Sequence, residues 1–359
     1  MFTTAGLIIL AGFLIFTSVS MAYVTSIEGG VDDMGLAYFL IRQFLFGVLP
    51  GILIGLILFK TPLTLIKKMA PVLLLINLIL VAMVLVPGLG ITIRGAKRWL
   101  QVGPISFQPS EFLKLTFILY LSSWLVEKRT GRDDKKIFSE NLLAFLAVSG
   151  VIAFLMYLQR DLSTLIVIIA TGFAMYFIYG APLRHIAALA VSGVSAFVLF
   201  ITTSPYRLER IRSLIDSGTN PYQAHQALIA IGTGGLFGLG FGMGNQKYGF
   251  LPFAMSDSIF AVYAEEAGLV GVIILILLFL IFTWRGFKLA KSRSGFLSLV
   301  AAGISFWIFF QAFVHMGAMS GILPITGIPL PFISQGRAHF IAELAGLGII
   351  LNISKTKKL

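Results

Sequence analysis

The chain has no cysteine among its 359 residues. That excludes disulfides, thiolate-bound metal and a cysteine nucleophile, and it leaves the compartment open. Charge is scarce as well: Asp, Glu, Lys and Arg make up 12% of the residues against 58% hydrophobic ones, and the mean hydropathy is +0.96. Such a composition excludes a water-soluble globular protein. Histidine occurs only at His185, His225, His315 and His339, without metal-ligand spacing, and no serine nucleophile elbow is present. A histidine-bound zinc site and a serine hydrolase are therefore disfavoured. The chain also lacks a soluble domain, a low-complexity tract and a convincing internal repeat.

What it has in abundance is apolar sequence. Crossing the hydrocarbon core takes about 20 apolar residues, and about ten segments qualify. They lie near 5–26, 38–59, 70–88, 109–127, 142–158, 161–180, 182–203, 262–285, 296–319 and 337–353. The expected fold is an all-α polytopic membrane protein, a single integral membrane domain over 1–359. A long extracytoplasmic loop, 204–261, joins the seventh and eighth helices. An even number of spans puts both termini on one side. With that side inside, the inner segments carry most of the 27 Lys and Arg residues, as orientation in a bilayer requires. The net charge of +12 is explained by that orientation and needs no nucleic acid. The basic residues that break the rule cluster in two outer loops: Arg94, Lys97 and Arg98 in one, Arg207, Arg210, Arg212 and Lys247 in the other. An anionic ligand on the outer face accounts for them.

Few residues can carry chemistry. Asp257 precedes an apolar periodic run, where a carboxylate can cap a helix start or act as a base, and the two roles are compatible. Glu111 and Lys114 follow Pro109 at a spacing that places both on one helix face, as a structural ion pair or as support for a site. Arg160 and Asp161 occupy a tight hairpin tip, and Glu265, Glu266 and Glu343 are further intramembrane charges in need of partners. The glycine-dense passage from Gly232 to Gly249 is no dinucleotide fingerprint, because Phe237 stands at the third glycine position and no strand precedes it. Close helix packing explains Gly232 to Gly240, and Gly242 to Gly249 turns the chain back toward Asp257.

Several segments together resemble the SEDS family (shape, elongation, division and sporulation). They are Gly95-Ala96-Lys97-Arg98-Trp99, Gln108-Pro109-Ser110-Glu111 with Lys114, Tyr222 to Gln226, Gly232 to Gly240, Ser256-Asp257-Ser258 with Glu265 and Glu266, and Leu323 to Ser334. They occur in the family's order. The Gln246-Lys247 pair leans toward the division branch over the elongation branch. Two places depart from the family pattern: Gly336-Arg337-Ala338 stands for Gly-Gly-Ser, and Ser163 for Gly in the Gln159 to Thr164 motif.

The resemblance implies a ten-helix peptidoglycan glycosyltransferase acting on lipid II at the outer face of the bacterial cytoplasmic membrane. It implies a class B penicillin-binding protein (an FtsI-like transpeptidase) and other division proteins as partners. Asp257 carries over as the catalytic residue, with Glu111 and Lys114 as a supporting pair. A sugar hydroxyl that displaces a lipid pyrophosphate with inversion needs one base, while the leaving anion wants cations more than a proton. Asp257 is expected to be that base. Lys97, Arg98, Arg207, Arg210, Arg212 and Lys247 are expected to supply pyrophosphate contacts, with Gln226 and Ser256 as further substrate contacts and a divalent Mg or Mn ion as an optional cofactor. A lipid flippase and a non-catalytic scaffold are the rival classes; the first would show paired broken helices in two halves.

Overall fold

The computed structural model describes residues 6, 8, 9, 41–93, 95–103, 105–127, 140–202 and 222–356. The expected first span, 5–26, lies outside the described residues apart from Gly6, Ile8 and Ile9, and so do Arg94, Arg207, Arg210 and Arg212.

The apolar runs fold as helices. In chain order they are α1 (Ile41–Lys60, with a π turn at Phe44–Val48), α2 (Leu63–Met83), α3 (Pro109–Glu127), α4 (Glu140–Leu158) and α5 (Leu162–Ile178). They continue as α6 (Leu183–Thr202), α7 (Tyr222–Thr233), α8 (Ile259–Lys291), α9 (Gly295–Met319) and α10 (Arg337–Lys355). Among the described residues α1, α2, α8, α9 and α10 are long and apolar enough to cross a membrane, and α5 with Phe145–Leu158 of α4 are shorter apolar helices. The helical membrane architecture expected from composition is present.

Local signals set the ends. Pro109 opens α3, where its missing N–H costs nothing. Asp161 caps α5 by accepting from the Thr164 amide at 3.4 Å. The second helix departs from its expected bounds of 70–88: it begins at Leu63 behind Pro62 and ends at Met83. Its early charges, Lys67 and Lys68, do not delay it, since long lysine side chains reach outward from an apolar helix. Lys67 meets Glu127 at 3.2 Å in an exposed pair.

Burial divides the spans into two kinds. Only 17% of the most apolar window of α1 and 28% of those of α2 and α8 are buried, against 67% for α9 and 72% for α10. The first three leave most of their apolar surface exposed, whereas α9 and α10 bury most of theirs within the protein.

The chain forms two compact units. The first comprises Met1–Pro50, Ala196–Trp284 and Phe309–Phe340; the second comprises Gly51–Ser195, Arg285–Ile308 and Ile341–Leu359. In the second, Leu113, Ile118, Leu121 and Leu125 of α3 are fully buried, and Gly348 of α10 lies so close to Gly55 of α1 that a Cβ would overlap its carbonyl. Small residues of this kind let membrane helices approach. Asn352 then donates to the Leu58 and Thr61 carbonyls (2.8 and 2.7 Å), closing the end of α1.

The second unit also holds a sheet the sequence reading did not anticipate. Strands β1 (Gly90–Ile93), β2 (Ala96–Val102) and β3 (Ile105–Phe107) pair antiparallel in the order β1-β2-β3. Leu100 faces Gly90 on one side and Phe107 on the other.

Candidate active site

Asp257 lies in the first unit, between two residues that are clamped from different directions. The Ser334 hydroxyl donates to the Ser256 carbonyl at 2.8 Å, and the Gln335 amide donates to the Met255 carbonyl at 2.8 Å. On the other side the Ser258 hydroxyl donates to the Pro252 carbonyl (2.7 Å) and accepts from Gln223 of α7 (2.9 Å). The first backbone bonds of α8 end on the Ser258 carbonyl, so Ser258 holds the capping position and Asp257 stands one residue outside the helix. Asp257 is half-buried, and its Oδ2 lies 3.7 Å from where a Cβ on Gly327 would be.

The Leu323–Ser334 segment that faces Asp257 is itself fastened to α9. Gln311 donates to the Pro329 carbonyl at 3.0 Å, His315 Nδ1 meets the Ile328 carbonyl at 2.6 Å, and the Leu330 amide donates to the buried Ser334 hydroxyl at 2.8 Å. The carboxylate is therefore presented on backbone that is over-determined by side chains of α7, α9 and the proline-rich segment. Gln223, Gln311 and His315 were missed by sequence reasoning. Their only signal is polarity inside or beside apolar helices, which says that a partner exists but not which one.

The glycine-rich passage has a definite job. Helix α8 carries a non-helical residue, Gly268, at φ 66 and ψ −172. An intact helix would bond the Leu269 and Val270 amides to the carbonyls four residues back, those of Glu265 and Glu266. Instead those carbonyls accept from Leu239 and Gly240 (both 3.0 Å), while the Leu269 and Val270 amides donate to Gly235 and Leu236 (2.9 and 3.1 Å). The loop supplies partners for these four groups, which helps irregular backbone persist in an apolar setting. Glycine is required at the crossing: Gly238 has φ 78, and a Cβ there would overlap the Glu266 carbonyl.

The two glutamates before the break complete the docking. Glu265 accepts from the Asn245 amide at 2.8 Å and from the Gln246 amide at 3.2 Å. Glu266 pairs with Lys247 at 2.6 Å, and the two side chains are 0% and 1% exposed. This corrects the expectation for Lys247. The expected pyrophosphate ligand instead points inward and pairs with Glu266.

The second unit carries its own polar network. Glu111 and Lys114 form a 2.7 Å ion pair, 5% and 2% exposed, with the Lys114 ammonium 5.3 Å from the Trp307 ring centroid. At the α4–α5 tip Asp161 pairs with Arg98 of β2 (3.7 Å) and accepts from Gln108 and Ser110 (both 3.3 Å). Arg98 also donates to the Arg160 carbonyl, and Arg160 donates back to the Gly95 carbonyl at 3.3 Å. Arg98 thus fastens the hairpin to the tip, with its side chain 29% exposed. Lys97, next to it on β2, is half-buried; Gln226 on α7 and Ser256 are half-buried too. Among the described residues no group of three or more His, Asp or Glu could hold a metal ion.

The fold and site define a class: a helical integral membrane protein that presents one carboxylate on an immobilised loop beside a proline-rich segment. The comparisons with known proteins are specific. A family model described as "Cell cycle protein", that of FtsW, RodA and SpoVE, matches residues 1–359, and the chain belongs to that family. It is 35% identical to "Probable peptidoglycan glycosyltransferase FtsW" of Thioalkalivibrio sulfidiphilus, covering 95% of this chain and 87% of the relative. It is 36% identical to "Stage V sporulation protein E" of Bacillus subtilis, covering 80% of each. Among solved structures, the rod shape determining protein RodA of Thermus thermophilus superposes with a TM-score of 0.70 at 27% identity, covering 98% of this chain and 94% of RodA. A chain from a peptidoglycan synthase complex that coordinates polymerization and crosslinking superposes with a TM-score of 0.73 at 28% identity, covering 96% of each.

Proposed function

We infer that this chain is a peptidoglycan glycosyltransferase of that family serving cell division, polymerising lipid II at the outer face of the bacterial cytoplasmic membrane. The observation that carries the chemical part is Asp257: one half-buried carboxylate whose flanking backbone is pinned at Met255, Ser256 and Ser258. Asp257 takes the proton from the attacking sugar hydroxyl as the new glycosidic bond forms and the bond to the lipid pyrophosphate breaks. The pyrophosphate leaves as an anion, needing positive charge and no proton. Arg207, Arg210 and Arg212 supply that charge in this reading, with Gln226 and Ser256 as polar contacts to the glycan. Asp257 offers a single carboxylate, so a Mg or Mn ion fits only where pyrophosphate oxygens and water complete its shell.

Orientation follows from charge at helix ends. The last turns of α1, α8 and α10 carry Lys60, Lys288 with Lys291, and Lys355, as expected if those ends are cytoplasmic. The likeness to a chain of a synthase complex supports a crosslinking partner, a class B penicillin-binding protein.

The break at Gly268 favours a second reading, a lipid transporter, because discontinuous helices line transport sites. Here, however, the groups freed at the break are taken up by the chain's own loop. Purified protein in liposomes with lipid II, with and without the partner, separates the two. Glycan polymer is expected; movement of labelled lipid between leaflets with no polymer under either condition would establish transport instead.

The Glu111–Lys114 pair is expected to matter for activity through mutual charge. Removing either partner from a buried pair costs about 3–5 kcal/mol, because the other charge is left without its counter-ion. Glu111→Gln and Lys114→Met are each expected to lower polymer yield, and the exchange of the two residues to restore part of it. Full activity in both single variants would show that the pair is dispensable.

A further inference from the structure

We propose that the glycine-rich loop between α7 and α8 is a membrane-embedded hairpin whose apolar side chains sit in bilayer hydrocarbon. Residues 226–246 contain no Asp, Glu, Lys or Arg. Within them Leu236, Phe237, Leu239, Phe241 and Met243 are exposed, Phe237 at 81% and Met243 at 69%, and Phe250 follows at 55%. Exposed apolar side chains gathered on one loop mark a surface that something other than water covers.

Three observations point to lipid as the occupant. The first is continuity. The loop is hydrogen-bonded to residues 265–270 of α8, and the α8 residues that follow, Leu269, Val270 and Ile273, are exposed on a helix apolar enough to span the membrane. The exposed loop side chains therefore extend an apolar face that already meets hydrocarbon.

The second is backbone accounting. Six of the eleven amides from Gly234 to Gly244, those of Gly234, Gly235, Gly238, Leu239, Gly240 and Met243, donate to backbone carbonyls within the protein. Water-exposed turns need no such economy, whereas backbone facing lipid must be satisfied internally. The third is composition. A protein-binding patch is ringed by polar and charged residues with arginine and tyrosine at its centre, while residues 234–244 are only Gly, Leu, Phe and Met. The charged groups that fasten the loop, Lys247, Glu265 and Glu266, are buried. The inference concerns the resting position of the loop and stands whatever the reaction is.

The absence of cysteine makes the test direct, since one introduced thiol is the only one in the chain. Phe237→Cys and Met243→Cys, both at exposed positions outside the core, are labelled with a nitroxide. The full-length protein is then reconstituted in phosphatidylethanolamine–phosphatidylglycerol vesicles. Collision with oxygen, which concentrates in hydrocarbon, is compared with collision with a water-soluble nickel chelate. Ile273→Cys on the lipid face of α8 and Lys291→Cys at its charged end serve as references. Labels at 237 and 243 are expected to show the same excess of oxygen over nickel as the label at 273. A nickel excess like that at 291 would place the loop in water. Exclusion of both probes would mean that protein covers it, a second copy or the rest of the chain. Either outcome overturns the proposal.

Discussion

Asp257→Asn is expected to reduce glycan polymerisation by about 10²–10⁴-fold, the contribution typical of a positioned general base. The substitution keeps the size and shape of the side chain and removes its charge, and with it the ability to take a proton. The flanking clamps run through the Met255 and Ser256 carbonyls and the Ser258 hydroxyl, so the altered side chain still sits at the end of a pinned backbone. Asp257→Glu keeps the base but lengthens it on the side of Gly327, where a Cβ would lie 3.7 Å from the present carboxylate oxygen, and a partial loss is expected. The measurement is polymer length and rate from purified protein with its partner, alongside a thermal unfolding curve. Parental polymer formation by a well-folded Asp257→Asn protein would remove Asp257 from the role of base.

The second large effect concerns the docking of the glycine loop. Lys247→Met withdraws the ammonium from 2.6 Å of a Glu266 carboxylate that is shut off from solvent. Breaking a buried pair from one side costs about 3–5 kcal/mol, whereas replacing both members by apolar or neutral groups of like volume is often neutral. Lys247→Met and Glu266→Gln are each expected to lower the melting temperature and the polymer yield together, and the double variant to be more stable than either. Gly238→Ala should resemble the single variants for a different reason, since its methyl group collides with the Glu266 carbonyl and its backbone is held at φ 78. A Lys247→Met protein as stable as the parent would show that the pair does not hold the loop.

Much of this was readable from the residues, and the failures have physical causes. Helix α3 was placed correctly because Pro109 is an unambiguous start. The start of α2 was misjudged because Lys67 and Lys68 look like the edge of the membrane when only hydropathy is considered. The three short strands escaped notice because nothing local demands them. They are held in part by Arg98 and Arg160, which tie them to a hairpin tip more than 60 residues away in sequence. Lys247 was legible as a cation but not as a buried one, since its partner lies 19 residues on and on another element. Asp257 was legible as a suspect from its place before an apolar run. The role of Ser334, Gln311 and His315 in fixing its surroundings depends on contacts that only the fold creates.

The exchange of hydrogen bonds at Gly268 has one more consequence. Four backbone groups of α8, the carbonyls of Glu265 and Glu266 and the amides of Leu269 and Val270, have two complete sets of partners available: one another in a straight helix, or the glycine loop in a broken one. Intermediate arrangements leave some of them unpaired in an apolar setting, which is costly. In this structure the loop holds the four groups, in competition with the pairing a straight helix would give them. Whatever straightens α8 must release the loop, and whatever releases the loop favours the straight helix, with the same coupling in both directions.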